Sequence, residues 1–300
     1  MRKSNIDDKR LYTPAFMELC IAVFFLYASI YLYLSGIAHP DAPLLFVAGM
    51  LAIGPFHAYL EDTYKRKHIF IYSALLLALT AVAIHWAEAV TGKWWWLIAS
   101  VQGVWFGLAV TAGSTVAIDI TNSPHRTQAN IVYSFASRLG MLAGLAGGYL
   151  FVGSSHLMYG VAALSLLGGC FMLRIHVPFR SPIGMSYCNL DRYLLPSAWF
   201  PAFNTLLMAF ALACFPLLLP LLLLLLIPMT RLFVNLSHHC QRGTANATLQ
   251  IALDAGVLIG LSTGHDYSHL RMYLFAVAAA VAIWLFCFVS YPYYKRRRIR

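Results

Sequence analysis

The sequence predicts an all-α fold: a polytopic membrane helix bundle of about ten transmembrane helices arranged in two pseudo-symmetric halves. Three observations predict it. Apolar residues make up 60% of the 300 and charged residues 11%, where a soluble domain carries about 25% charged residues. So few charges cannot clothe a water-facing surface, and the mean hydropathy of +0.70 agrees. The apolar residues are gathered in runs close to the 20 or so that a helix needs to cross a bilayer. And one stretch of the chain recurs further on in the same orientation.

Read with that ruler, candidate spans lie near 14–37, 44–60, 68–88, 94–118, 129–152, 156–175, 198–214, 216–236, 246–264 and 270–291. The first follows MRKSNIDDKR and is long enough to span. It lacks a small-residue cleavage site, so a membrane anchor is expected there rather than a leader peptide. The fourth opens on Trp94, Trp95 and Trp96, an interfacial tryptophan belt. The eighth is nearly all leucine, with Pro216, Pro220 and Pro228 inside it. Membrane helices accommodate proline when neighbours satisfy the freed carbonyls, and 198–236 reads either as two spans or as one bent span with a re-entrant piece.

The basic residues decide between these. With the N-terminus inside, only Lys93 and Arg271 of the 21 lysines and arginines fall in outside loops, and only Arg138 falls inside a span. This bias is what the positive-inside rule demands. It requires an even number of spans, since the basic tail YKRRRIR is then cytoplasmic, and a single span over 198–236 would break it. Ten spans are expected, with both termini cytoplasmic and the chain in an inner (cytoplasmic) membrane. The net charge of +10 is therefore orienting charge near anionic headgroups, and nucleic acid is not expected as a partner. The long polar connection 176–197 separates an N-terminal six-helix bundle, 1–175, from a shorter C-terminal bundle of about four helices, 198–300. The six cysteines have no plausible disulfide partners outside and form no C-x-x-C motif.

A shift of 116 residues lays HRTQANIVYSFASRLGMLAGLAGG, from His125, over QRGTANATLQIALDAGVLIGLSTG, from Gln241. Arg126 falls on Arg242, Ala129–Asn130 on Ala245–Asn246, Gly140 on Gly256, Gly144 on Gly260 and Gly148 on Gly264. Glycine-rich composition would supply the glycines by chance, but not an arginine and an Ala-Asn pair in register as well. Both copies start in an inside loop, so this is a parallel repeat about an axis along the membrane normal. The two glycine stripes, spaced every four residues, are helix-packing devices.

These residues resemble the major facilitator superfamily of secondary transporters. The passage GPFHAYLEDTYKRKHIF, from Gly54 to Phe70, is similar to that family's loop between its second and third helices. Gly54, Asp62, Arg66 and Lys67 stand where the family has a glycine, an acid and a basic pair. The two repeat copies resemble its fifth and eleventh helices, and DRYLLPSAWFPAFN is similar to bacterial members. The resemblance implies alternating-access transport of a small solute, driven by a proton or solute gradient, with no cofactor. It also implies a conformational charge network of Asp62, Arg66, Lys67, Asp119, Arg126 and Arg242 at inner helix ends. The family has six helices in its second half where this chain has room for four.

Each ionisable group inside a span calls for an explanation, because its insertion costs a few kcal/mol. Arg138 and Asp254 hold equivalent places in the two repeats, and a couple of opposite sign facing a central cavity suits substrate binding or proton coupling. A structural ion pair is the plainer reading of each, and whether they meet is open, since the resemblance puts them in different halves. Glu18, one turn into the first span, is either a protonation site or an interfacial acid. Gln102 is a candidate hydrogen-bond donor to the cavity. His57 either lines it or, as the residues favour, bonds a backbone carbonyl.

Two rival readings stand beside transport. One is a degenerate or truncated relative that no longer transports. The other is a membrane metalloenzyme built on His238, His239, His265 and His269. The second needs ligands within a few ångströms of one metal, and the predicted topology puts the two histidine pairs on opposite faces. No metal site, no catalytic residues and no enzyme activity are expected, and no P-loop is present.

Overall fold

The structure is a computed structural model of the chain, described over residues 11–36, 41–86, 94–154, 156–177, 187–189, 193–237, 241–263, 268–292 and 295. Among these residues there is helix and no strand. The helices are α1 Pro14–Gly36, α2 Ala42–Ala52, α3 Gly54–Thr63, α4 Arg66–Trp86, α5 Trp95–Asp119, α6 Arg126–Leu150, α7 Leu157–Arg174, α8 Trp199–Ala213, α9 Leu222–Leu236, α10 Arg242–Ser262 and α11 Ser268–Leu285. A helix thus stands at each of the ten candidate spans.

Among the described residues eight helices are long and apolar enough to cross a membrane, and α2 with α3, bent by 53°, makes up to nine if the bent pair is one span. The bend follows from Gly54–Pro55. Pro55 has no N–H for the carbonyl of Leu51, and the amide of Ile53 turns back onto that carbonyl instead. Helix α6 is as long as α5, with 25 residues each, but a polar stripe lowers its apolar content. The leucine-proline run makes a helix of its own: the backbone leaves helical geometry at Phe215, Pro216–Leu221 form a 3₁₀ turn, and α9 follows. Large apolar side chains such as Leu150, Leu217, Val277 and Trp284 face outward, as lipid-facing surface does.

Packing is set by small residues. A Cβ added at Gly140 would strike the Phe24 carbonyl, one at Gly144 the Ala28 carbonyl, and one at Gly148 the side chain of Ser35. The partner numbers rise together, so α1 and α6 run side by side in the same direction at near backbone contact. Helix α10 repeats the arrangement on α8, with Gly256 against the Leu206 carbonyl and Gly260 against Ala213 and the Phe210 carbonyl. Gly264 lies outside the described residues. A third close approach was not foreseen: Gly49 of α2 and Gly103 of α5 each meet the other helix's backbone, at Ser100 and Phe46. Around these contacts α1 also packs on α7, α4 on α5 and α7, and α8 on α11. Helices α6 with α9, and α2 and α5 with α10, join the α1–α7 group to the α8–α11 group.

Candidate functional site

At the centre of the bundle α1, α6 and α10 bring together one arginine, one aspartate and two tyrosines, all without exposure. The parallel run of α6 and α10 places their polar residues in matching turns: Asn130, Ser134 and Arg138 on one, Asn246, Gln250 and Asp254 on the other. Each set recurs every fourth residue and so lies on one helix face. Arg138 and Asp254 meet directly, Nη1 to Oδ1 at 2.7 Å. Helix α1 completes the site with Tyr27 and Tyr31, again one turn apart.

The hydrogen bonding is dense. Tyr31 donates to Asp254 Oδ1 at 2.8 Å and Tyr27 to Oδ2 at 2.9 Å. Arg138 Nη2 donates to Gln250 Oε1 at 2.6 Å and to the Tyr27 hydroxyl at 3.3 Å, with the guanidinium 5.0 Å from the Tyr27 ring centroid. Gln250 Nε2 in turn donates to Ser134 Oγ at 2.6 Å, and Ser134 Oγ to Asn246 Oδ1 at 3.2 Å. A buried ion pair persists only when hydrogen bonds satisfy its remaining lone pairs and protons. Here the carboxylate accepts three donors, whereas Arg138 Nε and both polar atoms of the Asn130 side chain are buried without a partner. The site is thus neutral overall, closed to both sides, and holds spare hydrogen-bonding capacity.

A second polar cluster lies where α3, α4 and α5 end or begin. Arg66 bonds Asp119 and lies 3.6 Å from Glu61. Thr115 donates to Glu61 at 3.1 Å, and His57 Nε2 lies 3.1 Å from Glu61 Oε1. Of the six residues expected in a charge network, the structure therefore brings Arg66 and Asp119 into direct contact. Glu61, which lies against both His57 and Arg66, was passed over in the sequence reading, and Asp62 acts electrostatically on Arg66 as well. Lys67 turns away and donates to the carbonyls of Leu173 and Ile175, closing the end of α7. Arg126 and Arg242 occupy the first turns of α6 and α10, each with its Nε buried and unpartnered.

The other candidates are placed as follows. His57 is buried, but it meets Glu61 and the Tyr193 ring, 5.6 Å between centroids, rather than the backbone carbonyl expected. The carboxylate of Glu61 one helical turn away is the stronger partner. Glu18 pairs with the largely exposed Arg174 at 3.1 Å, at the bundle's edge. Gln102 is buried and donates to Thr80 at 3.2 Å, between α4 and α5. The four histidines weighed as metal ligands lie outside the residues whose side chains are described. Among the described residues no three His, Cys, Asp or Glu side chains gather as a metal site would require.

Tyr27, Tyr31, Gln250 and Ser134 were missed. The signal for the last two was present, since they fill the positions one turn before Asp254 and Arg138 in the two repeat copies. The tyrosines carried none: a tyrosine in an apolar helix reads equally as an interfacial anchor.

A polytopic bundle with a buried charge couple at its centre defines a multi-pass membrane protein built around a buried polar site. The sequence model of the Major Facilitator Superfamily matches residues 15–297, and the chain belongs to that superfamily of membrane transporters. No curated protein matches the chain.

Proposed function

We propose that the chain is a secondary transporter that moves a small solute by alternating access, with Arg138 and Asp254 as its binding and coupling centre. The carrying observation is the Arg138–Asp254 contact itself, made by the pseudo-equivalent residues of two repeats at 0% exposure. Two six- and four-helix halves, 1–175 and 198–300, joined by 176–197, rock about this seam while the glycine stripes of α6 and α10 keep their grip on α1 and α8. An intramembrane ionisable pair is a functional centre by default: a polar solute or a proton takes the place of one member as the other is released, and the surrounding hydroxyls and amides keep hydrogen bonds to the charge. The driving force is a proton or solute gradient, and the basic loops support a topology with both termini on the cytoplasmic side, in an inner membrane. The cluster of His57, Glu61, Arg66 and Asp119 closes one end and parts when that end opens.

The test is gradient-driven flux in proteoliposomes across a panel of small solutes, followed by an internal pH-sensitive dye. Wild type gives flux with one solute class, and Asp254→Asn gives none at equal reconstituted amounts. Full activity in Asp254→Asn would sink this reading. One observation favours the second reading, a non-transporting relative: the central charges already neutralise each other within the chain. It stands if wild type gives no flux and cysteines at the two ends never exchange accessibility.

A further inference from the structure

The connection leading into α8 does more than join two groups of helices. Asn189 N donates to the Pro55 carbonyl at 2.8 Å, at the bend between α2 and α3. Tyr193 is fully buried and its hydroxyl donates to the carbonyl of Met50, in the last turn of α2, at 2.5 Å. Leu195 N donates to Thr248 Oγ1 of α10 at 2.8 Å, and Ser197 Oγ to the Leu236 carbonyl at the end of α9 at 2.9 Å. Within a few residues the chain therefore ties α2, α3, α9 and α10 together.

The slot that receives Tyr193 is made by the same two residues that bend the α2–α3 pair. The break at Gly54–Pro55 leaves the last carbonyls of α2 short of helical donors, and the phenol supplies one. Gly54 also supplies the space, because a Cβ there would run into the Tyr193 ring. The His57 ring packs against it as well, tilted by 57°. An aromatic bolt thus fills a kink on one side of the seam, while its backbone neighbour is held by α10 on the other.

We propose that this segment is a strap holding one end of the seam shut, and that Tyr193 must leave the Gly54 slot before α10 can separate from α2 and α3 there. The strap rests on the rocking motion proposed above for its purpose, but its grip can be measured alone. Withdrawal exposes a buried aromatic ring and strips the Met50 carbonyl of its donor, so a half-inserted Tyr193 is unfavourable and the strap has two states.

The experiment uses the full chain in lipid nanodiscs, with its native cysteines replaced by serine. One reporter is Ala245→Cys, buried in the first turn of α10 on the strap's side of Thr248. The other is Leu258→Cys, buried one turn beyond Asp254 towards the opposite end. Tyr193→Phe removes only the hydroxyl, and N-ethylmaleimide labelling at Ala245→Cys is expected to rise about fivefold, the effect of one buried hydrogen bond. Thr248→Val, which cuts the strap's other attachment, is expected to raise it similarly. Gly54→Ala, which crowds the slot, raises it further. No rise at Ala245→Cys in either Tyr193→Phe or Thr248→Val overturns the strap. A matching fall at Leu258→Cys reports the alternating motion, whereas a rise at Ala245→Cys with Leu258→Cys unchanged keeps the strap and removes the rocking mechanism.

Discussion

Arg138 and Asp254 show how a pair of charges survives at the centre of an apolar bundle. Each alone is costly in a membrane, and removing one partner of such a pair costs roughly 3–5 kcal/mol because the survivor is left uncompensated. Arg138→Met is therefore expected to lower the detergent melting temperature and the yield of folded protein. The double variant Arg138→Met/Asp254→Leu recovers much of both and still moves no solute. Thermal unfolding and flux measured on the same preparations separate the structural from the transporting role, and recovery of flux in the double variant would leave the pair only a structural one. Both charges were legible in the sequence, since a charge in an apolar run stands out against its neighbours. Their contact was not, because residues 116 apart meet only if α6 and α10 are brought to one seam, and that is decided by every helix between them. Glu61 was hidden for a smaller reason. It and Asp62 are adjacent acids on one helix and so lie on different faces, and only Glu61 shares the face of His57, one turn before it, and meets Thr115.

At the level of the helix, glycine spacing carries the assembly. Gly144 sits against the backbone of α1 and Gly256 against that of α8, with no room for a side chain. Gly144→Val and Gly256→Val each force the helices apart, and a loss of roughly 1–3 kcal/mol is expected for overpacking, read as a lower midpoint of unfolding. Gly160, whose added Cβ would stand 3.6 Å from Leu32 Cδ2, is the control, and Gly160→Ala is expected to be neutral. Equal effects at all three sites would detach the stripes from helix packing. The spans were legible because length and apolarity are local properties. The 53° bend was less so, although its cause, a proline after a glycine, was in view: membrane helices tolerate that pair, and neighbouring helices decide whether it bends them. The close approach of Gly49 and Gly103 passed unnoticed because neither belongs to a repeating stripe.

For the whole molecule, the expected order of crossings rests on the turn at Phe215, which splits 198–236 into α8 and α9. Single cysteines at Ser155, Phe215 and Ser237 on a cysteine-free background check it. Ser155 and Phe215 are expected to react with an impermeant maleimide from outside, and Ser237 only from inside. Phe215 shielded from outside, or Ser237 reached from there, would invert α10 against α6 and withdraw the parallel repeat. The four-helix second group also has a visible result. Helix α10 touches α2, α5, α6, α8 and α9, and 83% of its most apolar window is buried, against 11% for the last crossing. It is the hub of the bundle and α11 its rim.

That central place of α10 has a consequence for how the protein is made. Translation delivers Arg138 to the membrane long before Asp254 leaves the ribosome, so a half-made chain holds an arginine with no counter-ion. Helix α10, carrying Asn246, Gln250 and Asp254, is less apolar than most of the crossings, and Arg138, its partner in the folded chain, is expected to draw it in. A chain stopped after Ser237 is accordingly expected to be degraded faster than the full chain in a pulse-chase, and Arg138→Leu is expected to prolong its life. The pulse-chase thus tests whether the couple proposed as the transport centre has an earlier use, as an assembly checkpoint for the nascent chain.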